Sequence, residues 1–170
     1  KNSLEDIHFS VYSPDDSLHY EIKTAWHDTN DGVPELDVRG SAAGNNIDTK
    51  LTWDINDDKS FCGSLNTSSR FYSNKDGKDI AHISISPSEV LIGDSLWHID
   101  SSEIVYSDNY LKVDNFLLHH GMQYVGIDGL ATASNTDSLN VALHDVNVSY
   151  ILNLVNFHSV DFEGYASGDV

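Results

Sequence analysis

The side chains best suited to chemistry in this chain are nine histidines, 27 aspartates and glutamates and one cysteine. Their spacing decides what they can do. Asp54, Asn56 and Asp58 open like a calcium loop, in which alternate oxygens wrap a hard cation. The pattern then fails: Lys59 stands where the sharp turn wants glycine, and Leu65 where the closing bidentate glutamate belongs. A polar hairpin turn is the better reading. Asn74, Asp76 and Gly77 fail in the same way. His119 and His120 are adjacent, so a strand sends them to opposite faces and they cannot chelate one ion together. His27-Asp28 and His144-Asp145 are also neighbours, and no Cys/His pair has structural-zinc spacing. His98 and His144 fall on polar strand faces, where a solvated imidazole is the default. A Gly-x-Ser-x-Gly elbow is absent, as is a phosphate-cradling glycine loop. The expectation is a protein that is not an enzyme and needs no cofactor or metal.

The elements that would position these residues read as strands. Period two dominates, which places alternate side chains on opposite sheet faces. Leu18, Tyr20 and Ile22 alternate with His19, Glu21 and Lys23; Leu36 and Val38 with Asp37 and Arg39. Leu51, Trp53 and Ile55 alternate with Thr52 and Asp54; Ile83 and Ile85 with Ser84 and Ser86. Trp97 and Ile99 alternate with His98 and Asp100, and Leu111 and Val113 follow. Val125 and Ile127 alternate with Gly126 and Asp128; Leu139, Val141 and Leu143 with Asn140, Ala142 and His144. One apolar and one polar face per strand is the mark of a sheet with a wet side.

Turn residues punctuate these runs, among them Pro14-Asp15-Asp16-Ser17, Gly44-Asn45-Asn46, Asp76-Gly77 and Ser107-Asp108-Asn109. Their spacing of roughly 8–12 residues suits a meander of hairpins. The alternation changes phase at Asn115-Phe116, which a β-bulge explains. One stretch departs: Val148 to Phe157 groups Ile151, Leu152, Leu154 and Val155, with Ser149 placed to cap a short helix over 149–156.

Composition bounds the partners. A formal charge of −18 disfavours nucleic acid, whose phosphates reward basic patches, and anionic membrane surfaces. Acidic turns also keep sheet edges apart. Cys62 is alone, so the chain holds no internal disulfide; a lone thiol suits a bacterial envelope protein better than a disulfide-built secreted domain. No window approaches the ~18 apolar residues of a spanning helix. The start at Lys1 and the end within a strand-like run suggest one β-rich unit, 1–170, cut from a longer protein. The many apolar and aromatic strand positions fit either a filled sandwich or barrel core or a one-sheet wall open to a lipid-like ligand. Composition does not choose between them.

An ordered succession of short motifs goes further. Leu51-Thr52-Trp53-Asp54 is followed by Cys62-Gly63-Ser64-Leu65, then by Ile85-Ser86-Pro87-Ser88 running to Gly93-Asp94-Ser95-Leu96-Trp97-His98-Ile99. Val113-Asp114-Asn115-Phe116, Ile127-Asp128-Gly129-Leu130-Ala131 and Asp137-Ser138-Leu139-Asn140-Val141 come next, and Phe162-Glu163-Gly164-Tyr165 closes the series. From about Leu36 onward this resembles the TamB (translocation and assembly module) family in its Bacteroidetes form, part of the wider AsmA-like group.

The resemblance implies an elongated, curved, taco-like antiparallel sheet with an apolar inner face. It also implies a periplasmic protein anchored in the inner membrane, an Omp85-type outer-membrane partner, and roles in outer-membrane protein assembly and phospholipid movement between membranes. No catalytic residues come with it. On that view the lipid-facing wall draws on Leu51, Trp53, Ile83, Ile85, Trp97, Ile99, Leu111, Val113, Val125, Ile127, Leu139, Val141 and Leu143. The competing expectations are a module that binds nascent outer-membrane strands by β-augmentation, and a closed β-sandwich spacer.

Overall fold

The computed structural model describes residues 3–27, 35–55, 61–134, 136–147 and 165–169. All the regular structure among them is β. The strands are β1 (Ser3–Tyr12), β2 (Leu18–His27), β3 (Glu35–Ala43), β4 (Asn46–Ile55), β5 (Phe61–Ser73), β6 (Asp79–Ile85) and β7 (Ser88–Ile92). They continue with β8 (Ser95–Ile99), β9 (Ser102–Ser107), β10 (Tyr110–His120), β11 (Gln123–Thr132), β12 (Leu139–Asn147) and β13 (Tyr165–Asp169). The helix expected over 149–156 lies outside the described residues.

The strands form one antiparallel sheet that does not close into a barrel. Its pairing order follows chain order from β1 to β5 and from β10 to β13. Between them, β6 and β7 both lie along β5, and β9 and β8 both lie along β10. The register explains this. Ile85 faces Ser102 and, three residues on, Ser88 faces Ile99, so β6–β7 and β8–β9 are the two arms of one long hairpin. Its tip is the turn at Gly93, whose φ of 61° suits glycine. The sheet is therefore an uninterrupted meander, the outcome expected of alternating strands joined by short polar turns.

Both hairpin arms change phase at one level, and so does the next strand. Between Thr67 and Gly63, β5 spans four residues where its partner spans five, from Ile85 to Val90. On the other side, β10 runs three residues from Val113 to Phe116 while β11 runs two, from Gly129 to Ile127. The pairings among the three strands in between stay unshifted. Three adjacent strands thus each carry one extra residue, at Ser86-Pro87, Asp100-Ser101 and Asp114-Asn115. An extra residue bends its strand, so the three together crease the sheet. Of the three sites, the one in β10 places a residue in the left-handed conformation, Asn115 at φ 53°, a region that asparagine tolerates better than most residues.

An extra residue frees backbone groups from the ladder, and each must find a partner. Ser86 N–H donates to Asn66 O (2.9 Å) and Asp100 N–H to Leu117 O (3.0 Å). The Ser88 hydroxyl donates to Ser86 O (2.9 Å), and the Ser102 hydroxyl to Asp114 O (3.1 Å). Asn115 N–H donates to Asp128 Oδ1 (2.9 Å). Ser88 and Ser102 are buried, which gives these polar residues a structural reason to sit in the interior.

The core lies next to the crease. Ile85, Val90, Ile92, Trp97 and Ile99 form its buried cluster, with Trp53, Phe61, Leu65, Ile104, Phe116 and Leu118 packed around it. Ile85 and Ile104 come from one side of the crease and Trp97 and Leu118 from the other. Trp97 is 1% exposed. Burying a side chain of that size contributes about 1.5–3 kcal/mol or more from its apolar area.

Candidate functional site: one apolar sheet face

Directly paired residues on neighbouring strands point to the same side of a sheet. Following the register therefore tests whether the apolar positions share a face. Trp53 pairs with Gly63, Gly63 with Val90, and Val90 with Trp97. Leu51 pairs with Leu65 on the same strands. Ile83 leads through Ile104, Val113 and Gly129 to Leu139. Ile99 leads through Leu118 and Val125 to Leu143, and Phe116 through Ile127 to Val141. Ile85 and Leu111 stand two residues from Ile83 and Val113 on their strands, and so on the same side. All thirteen positions expected on the wall thus lie on one face, from β4 to β12.

They are not equally accessible. Ile85, Trp97, Ile99 and Val113 are buried. Leu51, Trp53, Ile83, Leu111, Val125, Ile127, Leu139, Val141 and Leu143 are half-buried. The face also contains residues that alternation alone concealed. Phe116 and Leu118 follow the phase change in β10, and Val90 and Ile92 stand in the apolar run Val90-Leu91-Ile92, where period two cannot be seen. A phase change recognised at each bulge would have exposed them.

Two glycines let aromatic rings lie flat on this face. A side-chain carbon added to Gly63 would stand 2.8 Å from Trp53 Cζ2 and 3.0 Å from Glu89 O. Gly40 is covered in the same way by the ring of Tyr20, whose hydroxyl pairs with the Thr49 hydroxyl at 2.6 Å.

The opposite face is polar. Glu21, Lys23, Asp37 and Arg39 form a cross-strand charge cluster there, with Lys23 Nζ 2.8 Å and Arg39 Nε 2.9 Å from Glu21 Oε1. The hydrogen bond from Lys23 holds the Glu21 carboxyl below the usual range, and the Asp37 carboxylate holds the Arg39 guanidinium above its own. Asp114 raises Lys112 in the same way, through a 2.7 Å contact. Near the crease, His98 and His119 pair across strands with rings 5.6 Å apart. His119 Nε2 is 3.2 Å from Asp100 Oδ1, and His98 Nδ1 is 3.6 Å from Glu89 Oε1. As expected, His119 and His120 point to opposite faces; the ring of His120 lies 5.8 Å from Trp97. Among the described residues, no group of three or more His, Cys, Asp or Glu side chains is placed to hold a metal. No described helix is long and apolar enough to cross a membrane.

This arrangement sets two unlike sheet faces back to back. It offers a strip of apolar surface across successive strands, backed by a hydrated, acidic face. No family model, curated protein or solved structure matches the chain.

Proposed function

We propose that this chain is a segment of a TamB-like envelope protein whose apolar sheet face carries the acyl chains of phospholipids between the two membranes. The observation that carries the reading is the placement of all thirteen sequence-chosen residues on one face, nine of them half-buried. A lipid tail in water costs ~0.8 kcal/mol per CH₂. A continuous apolar strip removes much of that cost while the headgroup stays hydrated. The acidic opposite face keeps anionic headgroups and membrane surfaces from adhering there. On this reading the chain works in the periplasm, within a longer protein anchored in the inner membrane and partnered by an Omp85-type outer-membrane protein. It performs no catalysis.

The test is capture of a photo-crosslinkable phospholipid by the purified chain. Ile127→Glu places a charge in the strip at a half-buried position. The expected result is loss of capture by a variant with unchanged circular dichroism. Equal capture by the folded variant would overturn the reading.

A further inference from the structure

Among the described residues, two buried polar side-chain atoms have no hydrogen-bond partner. They are Trp53 Nε1 and Trp97 Nε1. A buried unpaired donor costs about 1–3 kcal/mol, so two in one cluster call for an explanation. They are not scattered. Trp53, Gly63, Val90 and Trp97 form a single transverse row on the apolar face. The absence of a side chain at Gly63 lets the Trp53 ring lean along that row toward Trp97.

We infer that the two indole N–H groups form a docking pair for the ester carbonyl of an acyl glycerolipid. The inference rests on the acyl-chain reading above and names the atoms that hold the chain's head end. The chemistry of the cluster selects the ligand. Its members are Ile, Val, Leu, Phe and Trp, so their side chains offer donors at the indoles, and the one acceptor beside them is the imidazole of His120, whose Nδ1–H is given to Leu96 O. A peptide segment would bring a row of N–H groups, more than one imidazole nitrogen can accept. A carboxylate would bring a charge into an apolar interior, against a chain charge of −18. An ester brings acceptors only, attached to an apolar chain.

Access comes from the end of the long hairpin. β7 pairs with β5 only from Phe61 to Gly63, and β8 with β10 only at Leu118 and His119. Short ladders hold fewer backbone hydrogen bonds than long ones, and the inference places the route to Trp97 at this end.

The experiment uses ¹⁵N-labelled 170-residue chain, whose three tryptophans give three indole signals. Trp26→Phe and Trp53→Phe assign them. The probes are a short-chain diester phosphatidylcholine below its micelle concentration and its diether analogue, which lacks the carbonyls. The expected result is that both probes shift Leu, Ile and Val methyl signals of the apolar face. Only the diester moves the Trp53 and Trp97 indole signals downfield, and it binds about tenfold more tightly than the diether. Methyl shifts from both probes with no indole shift would overturn the docking pair and leave the acyl-chain reading standing. Indole signals that keep contact with water when the diester is bound would assign the donors to a buried water and overturn it as well. No methyl shift from either probe would remove the acyl-chain reading, and the inference with it.

Discussion

The first three strands and the β7–β8 end of the long hairpin present the same face of the same sheet. They are built from similar residues, yet their fates differ. Phe9, Val11, Leu18 and Leu36 are exposed, Phe9 at 62%, whereas Val90, Ile92, Trp97 and Ile99 are buried. In β2, β3 and β4 the phase is unbroken and the register even, and the shift in β1 between Glu5 and His8 stands alone, with no extra residue beside it in β2 or β3. Around β7 and β8, three adjacent strands carry the extra residues of the crease. Among the described residues no second layer covers the sheet, so burial there depends on how far the sheet bends onto itself. Residue type determines which face is apolar; the bulges determine where that face is closed.

The comparison is broken most strongly at Trp97. Trp97→Ala is expected to cost about 3–5 kcal/mol in a urea titration, because it empties the centre of the buried cluster. Phe9→Ala, at the exposed end, is expected to cost well under half of that. Equal losses would mean that burial is not what separates the two regions. Gly63→Ala comes next, at about 1–3 kcal/mol, since the new methyl meets the Trp53 ring and the Glu89 carbonyl. Ser102→Ala is expected to cost about 1–2 kcal/mol by leaving Asp114 O unpaired at the crease. Hydrogen exchange in that variant should quicken in β8 and β9 and remain unchanged in β3 and β4.

The smallest effect belongs to the polar side of the open region. Glu21 is held below the usual carboxylate range, chiefly by its hydrogen bond from Lys23. A group depressed on folding adds stability above its unfolded range and loses it as pH falls through that range. Glu21→Gln should therefore lower Tm slightly at neutral pH, leave it unchanged in strong acid, and lose its effect in high salt. A difference that persists at low pH would contradict the assignment.

Much of this was legible in the residues. Alternation at Leu51-Trp53, Ile83-Ile85, Val125-Ile127 and Leu139-Val141-Leu143 is enough to place strands and choose their apolar face. Polar turns at 8–12-residue intervals imply the meander. Only one of the three bulges left a readable trace, at Asn115-Phe116, because apolar residues flank it closely on both sides. At Ser86-Pro87 and Asp100-Ser101 the extra residue sits among polar neighbours and looks like an ordinary turn. That is why the crease, and the difference between a buried and an open stretch of wall, was not evident from the pattern. The unpaired indoles were equally hidden, since a tryptophan in a strand carries no sign of whether its N–H finds an acceptor.

The most direct test of the account is to map where an acyl chain touches the folded protein. A phospholipid with a diazirine near the end of its tail is photolysed with the chain, and the modified residues are located by mass spectrometry. The account predicts labels on the apolar face of β4 to β12, at positions such as Leu51, Val125, Ile127, Val141 and Leu143. It predicts no labels on the opposite face, at Lys50, Lys112 or Asn140. Labels spread evenly over both faces, or no labelling of the folded chain, would contradict it.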